Sequence, residues 1–421
     1  PPTTLVRLVD LGPAAPIDSL IRVYRLAVET VPSHTRPTAR EEADYRRVAR
    51  QLHERIWRPL DLDAIQPSSW AAEEMPALTF VIPDGWLHLI DFNTLMSETG
   101  RLVIENHRVH WLSSARDLPR IRTGAGRNQT DRRPAEQRPS RGILVVGNPT
   151  RPPIPQASPA EGSSSSATHD RGSRPPLCGD LLMELPPLPG ARAEAVAVAA
   201  TFAEHTGEPA TVLLGQEADE ESALRHLPGK RALHFACHGF YCNEYSEASP
   251  LPDSDREPSD GAIAETVLQN PLLASGLVLA KPAGARRPAS PADTHATGDE
   301  EHDGLLTAEE IASLDLADTE WVVLGACGSG LGSLRPGEGL FGLRRAFELA
   351  GARSVIMALW RVGDRPAADL MTRVHELHWN GTNTVDAVRG AALERLEEQR
   401  RRFGRVHPAA WGGIITEGDW R

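Results

Sequence analysis

Four short, almost wholly apolar runs constrain this chain most: Ile143-Leu144-Val145-Val146-Gly147, Ala232–Ala236 (ALHFA), Trp321–Leu324 (WVVL) and Ser354–Leu359 (SVIMAL). A strand with one wet face alternates apolar and polar residues, whereas a continuous run marks a strand covered on both faces. The segments between and after these runs carry helical spacing, at 190–205 (Ala195, Val196, Val198, Ala199, Phe202), 217–226, 307–313, 339–350 (closed by Gly351), 365–378 and 384–402, with a further strand at 210–214. Strand alternating with helix predicts right-handed crossovers and a mostly parallel sheet. In such sheets ligands and chemistry gather at the carboxyl ends of the strands. Three of those ends carry unusual residues: Cys237-His238-Gly239, Ala326-Cys327-Gly328, and Trp360 before Asp364.

The first third reads differently. Apolar residues three and four apart (Ile17, Leu20, Ile21, Val23, Leu26, Ala27) predict a helix over 17–31, and Val48, Leu52 and Ile56 a charged one over 40–60. The run ALTFVI at 77–82 reads as a strand, Pro83-Asp84-Gly85 as a turn, and Trp86–Ile90 as the returning strand of a hairpin. Short strands are expected at 103–104 and 109–112, and an Arg/Pro/Gln-rich linker over 119–141. Residues 150–176, 243–263 and 281–302 are polar and Pro/Ser-rich, too poor in apolar side chains to order themselves, and 272–279 is an apolar island between the last two. They absorb much of the 35 Gly and 35 Pro.

The charge balance, 45 Lys+Arg against 57 Asp+Glu for a net −12, excludes nucleic acid as the main partner, because phosphate binding needs clustered cations. Four scattered cysteines (Cys178, Cys237, Cys242, Cys327) do not make a disulfide framework and suit a reducing, cytoplasmic setting. No run of 18 apolar residues and no signal-peptide core is present, which argues against membrane insertion. The Pro-Pro start without Met reads as a fragment or a processed product.

His238 and Cys327 belong together. Each follows an apolar strand and precedes a glycine, so neighbouring strands would bring both side chains to one sheet edge. A thiol with a pKa near ~8.5 needs a base to become a nucleophile, and an imidazole supplies it. Gly239 and Gly328 leave backbone amides uncovered for a developing oxyanion. Two other readings are weaker. His234, Cys237, His238 and Cys242 lack a zinc-knuckle spacing, and Gly328–Gly332 lacks both the following helix and the acidic residue of a dinucleotide loop. Neither metal nor cofactor is expected. Cys237, one residue off along an extended strand, is expected in the core.

Motifs along most of the chain resemble the CHAT domain, a bacterial branch of the caspase-like (clan CD) cysteine peptidases related to separase. They are Ile82-Pro83-Asp84-Gly85-Trp86-Leu87-His88, Ser113–Leu118, Leu188-Pro189-Gly190-Ala191 with Glu194-Ala195, His234-Phe235-Ala236-Cys237-His238-Gly239, Pro271-Leu272 with Ser275-Gly276-Leu277, Asp303–Thr307, Leu324-Gly325-Ala326-Cys327, Gly337-Glu338-Gly339, Leu359-Trp360 with Val362 and Asp364, and His407-Pro408 with Trp411. The resemblance implies a caspase-like α/β/α sandwich with a mostly parallel central sheet, preceded by a smaller pseudo-caspase-like α/β subdomain. The organisation expected is a helical segment at 1–44 that ends an upstream module, an N-terminal subdomain at 45–141, and a catalytic subdomain at 142–421 with insertions near 150–176 and 243–302.

By the same resemblance His238 and Cys327 form a catalytic dyad, with the amides of Gly239 and Cys327 as the oxyanion hole. Gly325 stands where the family has Ser, and Gly328-Ser329 where it has a residue followed by Thr. Asp364 looks like the separase acid that binds a substrate arginine, which implies cleavage of a partner protein after a basic residue, a preference the −12 charge also suits. Its alternative is capping the helix over 365–378. Asp303 and Glu338 are further pocket candidates. Control would come from an upstream sensor or helical-repeat module, or from self-cleavage at Arg151, Arg171, Arg174, Arg256, Arg286 or Arg287. The competing reading is a catalytically idle interaction scaffold; a nucleotide-binding domain comes third.

Overall fold

The computed structural model describes residues 7–31, 36–60, 62, 76–123, 141–150, 185–241, 271–281, 303–325, 332–335 and 339–421. Helices α1 (Ala14–Glu29) and α2 (Ala39–Leu52) come first, followed by β1 (Leu78–Val81), the short helix α3 (Val103–Asn106), β2 (Arg108–Trp111) and α4 (Asp117–Thr123). The next block holds β3 (Ile143–Pro149), α5 (Pro189–Thr206), β4 (Ala210–Gly215), α6 (Glu220–His226) and β5 (Ala232–Ala236). After it come β6 (His238–Tyr241), β7 (Ser275–Val278), β8 (Leu305–Thr307), α7 (Ala308–Ala312) and β9 (Trp321–Leu324). The chain closes with β10 (Gly332–Arg335), β11 (Gly339–Gly342), α8 (Leu343–Ala350), β12 (Ser354–Ala358), α9 (Asp364–Trp379), α10 (Thr384–Phe403) and β13 (Ile414–Gly418).

Eight strands form one sheet in the order β1-β2-β13-β12-β9-β5-β3-β4, and every pairing in it is parallel except β12 with β13. This is the mostly parallel α/β sheet flanked by helices that the apolar runs require. Residues 143–146, 232–236, 321–324 and 354–358 are buried throughout, because helices cover both faces. β1 and β2, N-terminal to the boundary expected at 141, continue the same sheet through β13. A separate antiparallel sheet, β6-β7-β8, starts at His238. Among the described residues no helix is long and apolar enough to cross a membrane.

Three local expectations are corrected. Trp86–Ile90 is not the return of a hairpin: Asp84 accepts a hydrogen bond from the Gly85 amide, Gly85 takes φ +55°, and residues 85–89 wind into a 3-10 turn. β1 pairs instead with β2, in parallel. Val103-Ile104 open a single helical turn, closed when the Glu105 carboxylate takes the Leu102 amide at 2.7 Å. Residues 339–342, expected to start a helix, form β11 paired with β10, and the helix begins only at Leu343. The polar insertions, with the arginines named as self-cleavage sites, fall largely outside the described residues.

Candidate active site

The site begins with a strand pairing. β5 and β9 are immediate parallel neighbours, in register from Ala232↔Trp321 to Phe235↔Leu324, and the Gly325 amide extends the ladder by donating to the Phe235 carbonyl at 2.9 Å. His238 lies three residues beyond Phe235 and Cys327 two beyond Gly325. The adjacency that the dyad requires is therefore present, although Cys327 and Glu338 lie outside the described residues. Cys237 is buried at 2% exposure, as a residue on the other face of an extended strand should be.

His238 is half-buried, and its Nε2 lies 2.7 Å from the backbone carbonyl of Pro186. A carbonyl only accepts, so Nε2 carries the hydrogen and Nδ1 is left as the basic nitrogen of the ring. Burial lowers the pKa of this imidazole below 6.5, the Pro186 hydrogen bond opposes that, the positive charge of Arg361 adds to it, and the negative charge of Asp364 opposes it. The ring is held neutral and ready to take a proton.

Pro186 lies just before α5, which indexes the site at two depths. At its start, the Asp364 carboxylate accepts the Gly190 amide at 2.5 Å and the Ala191 amide at 2.9 Å. Gly190 is required there, since a Cβ would lie 2.7 Å from that carboxylate. Asp364 is the first residue of α9, yet it caps α5 and not its own helix. One turn on, Glu194 is buried and accepts from His234 Nε2 at 2.9 Å. His234 Nδ1 lies 3.0 Å from His375 Nε2, and Trp379 Nε1 donates to His375 Nδ1 at 3.1 Å.

The indole N–H can only donate, and that settles every proton along the chain. His375 Nδ1 must accept, so its Nε2 carries the hydrogen and gives it to His234 Nδ1. His234 Nε2 then donates to Glu194. A Cβ at Gly325 would stand 3.0 Å from Glu194 Oε1, so this chain ends against Gly325, at the end of β9.

Asp303 is engaged elsewhere, its carboxylate accepting the Leu305 amide at 2.9 Å in the turn into β8. Gly239 pairs with Leu277 across β6 and β7. The contributions of Pro186 and of Glu194 with His375 are absent from the sequence reading. The first acts through a backbone carbonyl that any residue possesses. The second needs side chains from α5, β5 and α9. Among the described residues no cluster of His, Cys, Asp and Glu is arranged to hold a metal ion.

The family model of the CHAT domain matches residues 46–419. The chain belongs to the CHAT family. Two solved structures of the Saccharomyces cerevisiae separase–securin complex are similar to this CHAT domain, each at 12% sequence identity. One match covers 87% of this chain and 17% of that chain with a TM-score of 0.40, the other 98% and 22% with a TM-score of 0.41. The CHAT domain thus spans about a fifth of the separase chains it matches. No curated protein sequence matches it.

Proposed function

We propose that this CHAT domain is a cysteine endopeptidase in which His238 and Cys327 form the catalytic dyad. The observation that carries the reading is the β5–β9 pairing, with a histidine whose Nε2–H is spent on a backbone carbonyl and whose Nδ1 is kept basic. Nδ1 takes the Cys327 proton as the thiolate attacks the scissile carbonyl, and the proton passes to the leaving amine as the thioester forms. Water, deprotonated by the same nitrogen, then hydrolyses the thioester and restores the thiol. The amides of Gly239 and Cys327 receive the oxyanion in this scheme.

The substrate is a protein segment, and an upstream sensor or self-cleavage gates access to it. A preference for a basic residue through Asp364 would require that carboxylate to leave Gly190 and Ala191, so this acid supports α5 more readily than it supports an arginine pocket.

Cys327→Ala or His238→Ala should each lower peptide turnover by at least ~10³-fold with the fold intact by circular dichroism. Retained turnover in either variant would refute the dyad. Because His238 has a depressed pKa, it stays neutral to lower pH than an ordinary histidine, and the acid limb of kcat/KM should fall below pH 6.5.

A further inference from the structure

The turn after β12 presents one cation to the site from a fixed base. Trp360 and Val362 are 1% and 4% exposed, whereas Arg361 between them is exposed. The backbone is held on both sides. The Leu359 amide donates to the Gly413 carbonyl at 2.7 Å, and the Leu359 carbonyl accepts from Arg25 Nη1 at 2.7 Å. Gly413 sits at φ +83°, and a Cβ there would come within 2.4 Å of the Trp360 ring. Three residues past Arg361, Asp364 is bound to the start of α5.

The position matters as much as the rigidity. β12 flanks β9 on the side away from β5, so β9 lies between the strand leading to His238 and the strand leading to Arg361. Arg361 is close enough for its charge to oppose protonation of His238. Arg192 and Arg365, in the opening turns of α5 and α9, are exposed as well. Among the described residues no carboxylate pairs with any of these three arginines, and Asp364 is occupied by amides. All three are exposed cations on a chain whose net charge is −12.

We propose that Arg361 is the specificity-determining residue of this site and selects protein segments that place Asp or Glu beside the bond to be cut. The inference rests on the endopeptidase reading above. A guanidinium binds a carboxylate through two parallel N–H···O bonds, and a side chain on an anchored turn loses little freedom in doing so. A docked carboxylate also cancels the charge that opposes proton uptake by His238, so the preference extends to kcat as well as KM. Because Arg361 is exposed, the preference weakens as salt rises.

The test is cleavage of a peptide library that samples every residue on both sides of the cut bond, by the chain of residues 1–421 and by its Arg361→Gln and Arg361→Glu variants. Cut sites are read by mass spectrometry. Matched Asp, Asn and Arg peptides are then followed individually at about 0.05 M and 0.5 M salt. The wild type should favour Asp over Asn by about tenfold in kcat/KM, equivalent to ~1.4 kcal/mol, and the ratio should shrink at the higher salt. Arg361→Gln should bring it to about one, and Arg361→Glu should invert it toward Arg. Preferred cutting beside basic residues, or an Asp/Asn ratio that Arg361→Gln does not change, would overturn this inference and leave the peptidase reading standing. A library left uncut by the wild type would overturn both.

Discussion

Two buried polar clusters, one in each half of the sheet, are built on opposite principles. Under the candidate site, Trp379, His375, His234 and Glu194 form a chain in which each donor meets an acceptor and both imidazoles are neutral. In the other half, Arg344 of α8 lies between His88 of the 3-10 turn and Glu417 of β13, with Ser113 also donating to Glu417. Here a full positive charge is buried at 5% exposure. Burial pushes Glu417 upward in pKa, and burial, helped by Arg344, pushes His88 down to about 3. His88 Nε2 has no hydrogen-bond partner among the described residues. The first cluster sets positions through directional bonds between neutral groups and one carboxylate. The second joins β13 and the segment after β2 to α8 through an ion pair whose desolvation is costly and whose halves do not survive apart.

Three substitutions would break or sharpen this contrast. Arg344→Leu should be the most damaging, because it leaves Glu417 buried without its cation, a loss of about 3–5 kcal/mol in unfolding free energy by urea titration. A loss under ~1 kcal/mol would mean that the pair is not the fastener between those elements. Glu194→Ala should cost less, about 1–3 kcal/mol, for stranding the His234 Nε2–H. It should also lower turnover, since Gly325 rests beside that carboxylate, and unchanged turnover would separate the chain from the proposed chemistry at Cys327. Trp379→Phe should cost about 1 kcal/mol. It keeps an aromatic ring against Phe202 but removes the donor that orients the chain, so the imidazole nitrogen shifts of His375 and His234 should show mixed tautomers by NMR. Single, unmixed tautomers in that variant would mean that the indole does not set the protons.

What the sequence could reveal follows from how each feature is encoded. β5, β9 and β12 are legible because strands buried on both faces must be apolar throughout, and few other elements produce such runs. β13 is not, since its inward residues include Thr416 and Glu417, acceptable only because His110 and Arg344 wait for them. The 3-10 turn at 85–89 mimics a strand because Trp86, Leu87 and Leu89 pack against the core whichever backbone presents them. Asp364 is visible as an acid at a strand end, yet its carboxylate is hydrogen-bonded to the start of another helix.

The sequence alone determined the parallel α/β layering, and it singled out His238 and Cys327 as the candidates for the proposed dyad, because burial periodicity and residue chemistry are local properties. Only the tertiary structure decided that Pro186 orients the imidazole, that Asp364 caps α5, and that Arg361 stands as the exposed charge beside the site. Each depends on atoms brought together from distant parts of the chain, and a backbone carbonyl or a helix amide leaves no mark in the residue that carries it.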